Sequence, residues 1–144
     1  SAGLRYEAKV FDLLAALLEW NDLTLSAPTT ASISAKDQEA MQSLKHFLLQ
    51  NYSTKVDLQR LAQMCYMSKS KLTYLFRMLY GTTIYEFILA CRIDRAKELL
   101  ADREKKLSEI AVLVGYERQS SFSAAFHQKT GVTPNEFRRQ FWNK

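Results

Sequence analysis

The chain has 144 residues, 47% hydrophobic and 24% charged, which is room for one ordinary domain with its own core and excludes wholesale disorder. Four glycines and two prolines are too few for a turn-rich all-β chain, and no apolar run reaches the ~20 residues that span a bilayer. The net charge of +5 points to an anionic partner and is unevenly placed: residues 1–35 carry Arg5 and Lys9 against Glu7, Asp12, Glu19 and Asp22, so the positive field belongs to the rest of the chain.

The N-terminus lacks a charged segment followed by an apolar core, so no secretory signal is expected, and Ser1-Ala2 reads as the cut end of a longer chain. Residues 4–20 place Tyr6, Val10, Leu13, Leu14, Leu17 and Leu18 at spacings of three and four, which predicts an amphipathic helix. Its wide apolar stripe favours an associating helix or the remnant of a sensor region for residues 1–24, over a helix that packs on its own domain. The small, polar stretch over 25–35, interrupted by Pro28, reads as a linker, and the domain boundary falls there.

Helical signals then come densely through 36–144. Residues 36–51 put Met41, Leu44, Leu48 and Leu49 on one face, and residues 56–65 turn Val56, Leu58, Leu61, Ala62 and Cys65 inward. Ser68 is a suitable N-cap for a helix over 69–79 that buries Leu72, Leu75, Phe76 and Leu79 and stops at Gly81. A long helix follows over 84–101, with Ile88, Cys91, Ile93, Ala96, Leu99 and Leu100 as its apolar contacts; at ~1.5 Å per residue it is ~27 Å long. Shorter helices are expected over 107–114, 119–130 and 134–142, separated by Gly115 and Gly131. No window alternates with period two, so the expected fold is all-α.

The most informative feature is an internal repeat. Leu58, Leu61, Ala62, Cys65 and Met67 reappear as Leu107, Ile110, Ala111, Val114 and Tyr116, and, after a one-residue insertion, Phe76, Gly81, Thr83, Glu86 and Phe87 reappear as Phe126, Gly131, Thr133, Glu136 and Phe137. Gly-x-Thr-x-x-Glu-Phe thus occurs twice: each Gly suits the left-handed residue that ends a helix, and each Thr-x-x-Glu suits a capping box that starts the next, with Pro134 at home in a first turn. Each copy also reads helix, short turn, helix, with a small residue (Ala62, Ala111) where the helices cross and an apolar plug (Met67, Tyr116) in the turn. That is a helix-turn-helix, whose second helix presents an exposed face to a DNA major groove.

Over roughly residues 38–142 the chain resembles the DNA-binding domain of AraC/XylS-type transcription regulators. The resemblance is carried by Asp57-Leu58-x-x-Leu61-Ala62, Ser68-x-x-x-Leu72-x-x-Leu75-Phe76-Arg77, Arg92-Ile93-x-x-Ala96-x-x-Leu99-Leu100, Leu107-x-x-Ile110-Ala111-x-x-Val114-Gly115-Tyr116 and Ser120-x-Phe122-x-x-x-Phe126 followed by Gly131-x-Thr133-Pro134. It implies a seven-helix, homeodomain-like double helix-turn-helix: a first unit over 56–79, a joining helix over 84–101 and a second unit over 107–130, with one extra helix ahead of them. It further implies a bacterial, cytoplasmic, nucleoid-associated transcription activator. The expected partners are double-stranded DNA, RNA polymerase, a second copy of the chain through the N-terminal helix or an upstream domain, and an effector held by that upstream domain.

With the apolar stripes turned inward, the first recognition helix leaves Ser70, Thr73 and Tyr74 for base edges and Lys69, Lys71 and Arg77 for phosphates. The second leaves Arg118, Gln119, Ser120 and Ser123 for base edges and His127 for phosphate, with Ala124 also outward. The N-termini of the joining and last helices offer further N–H groups to phosphates. Family members commonly carry Arg at the positions of Tyr74 and Ala124 and Lys at that of His127, so the first unit is expected to dominate specificity. Two recognition helices about one duplex turn apart, ~34 Å, would read successive major grooves, with the DNA bent if the joining helix stays straight.

No cofactor or metal is expected: His46 and His127 lack partners at ligand spacing, and Cys65 and Cys91 read as buried, reduced thiols. No nucleophile–base pair or phosphate-cradling glycine loop argues for an enzyme, and the four-Cys zinc module that some DNA-repair proteins join to this motif is missing from the chain. The competing reading is a helical adaptor that binds transcription machinery without strong DNA specificity.

Overall fold

The structure, a computed structural model, describes residues 33–143. The helix expected over 4–20, and all but the end of the linker over 25–35, lie outside the described residues. Ala35 onward forms one unit. Among the described residues there are seven helices: α1 (Ala35–Asn51), α2 (Leu58–Met64), α3 (Lys69–Tyr80), α4 (Ile84–Leu100), α5 (Leu107–Val114), α6 (Gln119–Thr130) and α7 (Pro134–Trp142).

Local chemistry sets their ends. Asp57 accepts the Gln59 N–H and so starts α2 two residues later than the apolar pattern suggests, leaving Val56 in the loop, half-buried. Ser68 caps α3 by accepting the Lys71 N–H. Both expected capping boxes form: Thr83 accepts the Glu86 N–H at 3.1 Å while Glu86 accepts the Thr83 N–H at 3.0 Å, and Thr133 and Glu136 do the same at 3.1 and 2.8 Å. Lys106 N–H donates to the Glu109 carboxylate in the same manner at the start of α5.

The two first helices end alike, and so do the two second helices. The Met67 and Tyr66 N–H groups donate back to Ala62 and Gln63, as those of Tyr116 and Gly115 do to Ala111 and Val112. This is the paired closure that turns a chain sharply at a left-handed residue. The recognition helices instead end in a single bond from Gly81 to Arg77 and from Gly131 to His127. The left-handed residue of the second turn is Gly115, at φ +112°, but that of the first is Tyr66, at φ +56° and 95% exposed.

Helix α4 packs against α1, α3, α5, α6 and α7 and is shared by both halves. Met41, Leu44 and Leu48 of α1, Leu61 and Ala62 of α2, and Leu72, Leu75 and Phe76 of α3 are buried with Ile84 and Ile88 of α4. The other end of α4 supplies Ile93, Ala96 and Leu100 to a second core with Ile110, Ala111, Val114, Phe122 and Phe126. Leu49 is exposed because it lies about 100° around the helix from Leu48. Leu79, Cys65 and Cys91 are half-buried at the edges of their stripes. Among the described residues no helix is long and apolar enough to cross a membrane.

Candidate nucleic-acid interface

On α3 the fully buried Leu72 and Phe76, with Leu75, force the opposite face outward, and Lys69, Ser70, Thr73, Tyr74 and Arg77 are all exposed. The Thr73 hydroxyl is within donating distance of the Lys69 and Ser70 carbonyls of its own helix, at 3.0 and 3.1 Å. Its methyl group and the oxygen's remaining acceptor capacity are left for a partner. Tyr74 shares a shallow depression with Thr73, Arg77, Thr83 and Tyr85, and partial burial pushes its phenol up, so it stays a neutral donor. Lys71 is the exception in this set. Its Nζ lies 3.3 Å from Asp37 Oδ2 on α1, which draws the charge toward the body of the domain.

On α6 the fully buried Phe122 and Phe126 play the same part. Arg118 stands at the N-cap with no side-chain cap bond; Gln119 and Ser120 in the first turn, and Ala124 and His127 beyond, are exposed. Ser123 is half-buried, on the flank of the outward face. With the repeat offset, Ser70, Thr73, Tyr74 and Arg77 correspond to Ser120, Ser123, Ala124 and His127, so one helical face is presented twice with less charge and less bulk in the second copy.

Tyr85, at the start of α4, lines the depression beside Tyr74 and Arg77 and also lines a broad groove that reaches Glu117 and Ser121 at the start of α6. The N-termini of α4 and α7 are less open to phosphate than expected. Their capping boxes already use the N–H groups of Thr83, Glu86, Thr133 and Glu136, leaving those of Ile84 and Tyr85 on α4 and, since Pro134 has none, that of Asn135 on α7.

A family model described as a helix-turn-helix domain matches residues 61–140, more than half of the chain and both units. The chain belongs to the AraC/XylS family of transcription regulators. This places it among DNA-binding regulators of transcription. It is 32% identical over 119 residues to LumQ of Photobacterium leiognathi, covering 79% of this chain and 48% of LumQ. It is 31% identical over 103 residues to the bifunctional transcriptional activator/DNA repair enzyme AdaA of Bacillus subtilis (strain 168), covering 72% and 49%. The C-terminal domain of the response regulator AraT from Geobacillus stearothermophilus superposes with a TM-score of 0.67 at 28% identity, over 70% of this chain and 84% of that one. The chain thus spans about half the length of the curated relatives it matches.

Within this AraC/XylS domain, burial pushes both free cysteines, Cys65 and Cys91, toward the protonated thiol, the unreactive form. Two arginines have roles that no local pattern announces: Arg92, which belongs to the joining-helix motif, and Arg138, which belongs to none. The Arg138 Nε donates to Leu100 O at 3.1 Å and its Nη2 to Lys105 O at 2.7 Å, holding the end of α4 to the loop before α5. Arg138 is the repeat counterpart of Ile88, and that change from apolar to charged was the available signal.

Proposed function

We propose that this domain reads an asymmetric DNA site by laying α3 and α6 into two successive major grooves. Ser70, Thr73 and Tyr74 on α3 and Arg118, Gln119, Ser120 and Ser123 on α6 contact base edges; Lys69, Arg77 and His127 contact phosphates, and Lys71, held by Asp37, contributes less. The observation that carries this reading is the pair of like outward faces that buried Leu72 and Phe76 on α3, and Phe122 and Phe126 on α6, leave exposed. The first unit dominates specificity, since Arg77 and the Tyr74 phenol are replaced by His127 and Ala124 in the second.

Selection of binding sites from random duplexes, followed by footprinting, tests it. Two unlike half-sites about one turn apart are expected, with a larger loss from Thr73→Ala than from Gln119→Ala. Protection of one groove only, or the reverse ranking, overturns it. The function served is activation in the bacterial cytoplasm, with RNA polymerase as the protein partner. In support, AdaA is named a transcriptional activator. A second copy of the chain and an effector would engage the region ahead of Ala35. Added to a promoter bearing the selected site, the protein should raise the yield of transcript; a lowered yield would mark a repressor.

A further inference from the structure

We infer that Arg92 is the positioning residue that sets the angle between α3 and α6, and thereby the half-site separation the domain accepts; this rests on the two-helix reading above. Arg92 lies midway along α4, and its guanidinium meets three segments at once. Its Nε donates to Tyr52 O at 2.7 Å and its Nη2 to Thr54 O at 3.1 Å, both carbonyls of the loop between α1 and α2 in the first half. The face of the same group lies over the Tyr116 ring, 5.0 Å from its centroid, in the turn of the second half. Beside it, a Cβ on Gly115 would stand 2.9 Å from Arg92 Cζ and 2.9 Å from Ser53 O. The second turn is therefore seated directly on the first half, with the planar cation between them.

The bonds to the preceding loop have a parallel in Arg138, which donates to Leu100, Asp102 and Lys105, but the seating of the guanidinium on the turn of the other half occurs once in two copies. The first turn has Tyr66 where the second has Gly115, and Tyr66 is 95% exposed; the counterpart of Arg92 is Trp142, on α7. Away from Arg92, the halves face each other across the groove lined by Lys55, Tyr85 and Val112. A single helix can curve, so α4 alone does not hold two recognition helices in phase, whereas a cross-brace at its middle does. Lysine, with one compact ammonium, cannot reproduce the edge-and-face geometry of the guanidinium.

The test uses the full chain with Arg92→Ala and Arg92→Lys and two readouts. In free protein, residual dipolar couplings of α1–α3 and α5–α7 are expected to fit one alignment tensor in the parent, two in Arg92→Ala, and an intermediate case in Arg92→Lys. On DNA, one base pair inserted between the selected half-sites turns them by about 36°, and the parent should lose about tenfold or more in Kd, whereas Arg92→Ala should lose about twofold or less. A single shared tensor in Arg92→Ala overturns the inference. So does an equal loss of affinity at every spacing, which is what general destabilisation would give. If the parent binds no duplex, the DNA reading falls, while the couplings still decide what Arg92 does; if Arg92→Ala does not fold, Arg92→Lys carries both measurements.

Discussion

Phe126 meets Phe137 edge to face, with ring centroids 5.6 Å apart and planes at 74°, and their counterparts Phe76 and Phe87 meet at 5.7 Å and the same 74°. Each pair joins a recognition helix to the helix after it, α6 to α7 in one copy and α3 to α4 in the other. Since α4 also enters the second core, the two cores share one helix and should unfold together. Phe76→Ala and Phe126→Ala should each cost ~3–5 kcal/mol. Both should lower the midpoint of a single urea transition, followed by circular dichroism, over the helical domain. Two separate transitions would show that the halves melt independently.

The left-handed turn residues give a pair of opposite effects. Tyr66 has no contact to lose at 95% exposure but bears a side chain at φ +56°, so Tyr66→Gly should stabilise by ~1 kcal/mol. Gly115→Ala adds a Cβ at φ +112° against Arg92 and Ser53 O and should destabilise by ~2 kcal/mol or more. Thermal midpoints of the two variants, measured side by side, should move in opposite directions.

Acid should weaken the capping boxes. The Thr83 backbone N–H, aided by the Thr82 and Thr83 hydroxyls and Arg77, holds the Glu86 carboxyl below its ordinary 4.5; the Thr133 N–H does likewise for Glu136. The unfolded chain then takes up protons first as pH falls, so the stabilisation is whole above about pH 4.5 and is lost as pH drops through the lowered value. Glu86→Gln should be less stable than the parent at neutral pH and should close part of that gap at about pH 3. A gap that stays constant across a pH series of urea midpoints would contradict this.

Binding should be strongly salt-dependent if the exposed cations engage phosphates. About six phosphate contacts give a slope of log K against log salt near −5. Arg77→Gln should make the slope shallower by ~0.9, and Lys71→Gln by clearly less, because Lys71 pairs with Asp37. Fluorescence anisotropy over a salt series reads both. A flat dependence would favour a protein-binding adaptor instead.

What the sequence made legible was whatever is decided within about one helical turn. Ser68, Thr83, Thr133 and the glycines announce helix ends, because each acts on N–H or carbonyl groups three or four residues away. The outward faces of α3 and α6 follow as the complement of Leu72/Phe76 and Phe122/Phe126. Arg92 and Arg138 were not legible, since their acceptors lie 40 and 38 residues off in the chain, and the Asp37–Lys71 pair links α1 to α3 in the same non-local way. A fainter trace existed: Tyr66 against Gly115, and Ile88 against Arg138, are places where the repeat breaks. There the two copies do different work.

The bare first turn and the enclosed second turn have a consequence for the order of the halves. A chain rebuilt with residues 58–80 and 107–130 exchanged would keep every cap and both aromatic pairs, yet it would drive a phenol ring into the site that now admits only a hydrogen atom. The two copies match in architecture but cannot trade places, and the domain has a built-in front and back along the duplex it reads.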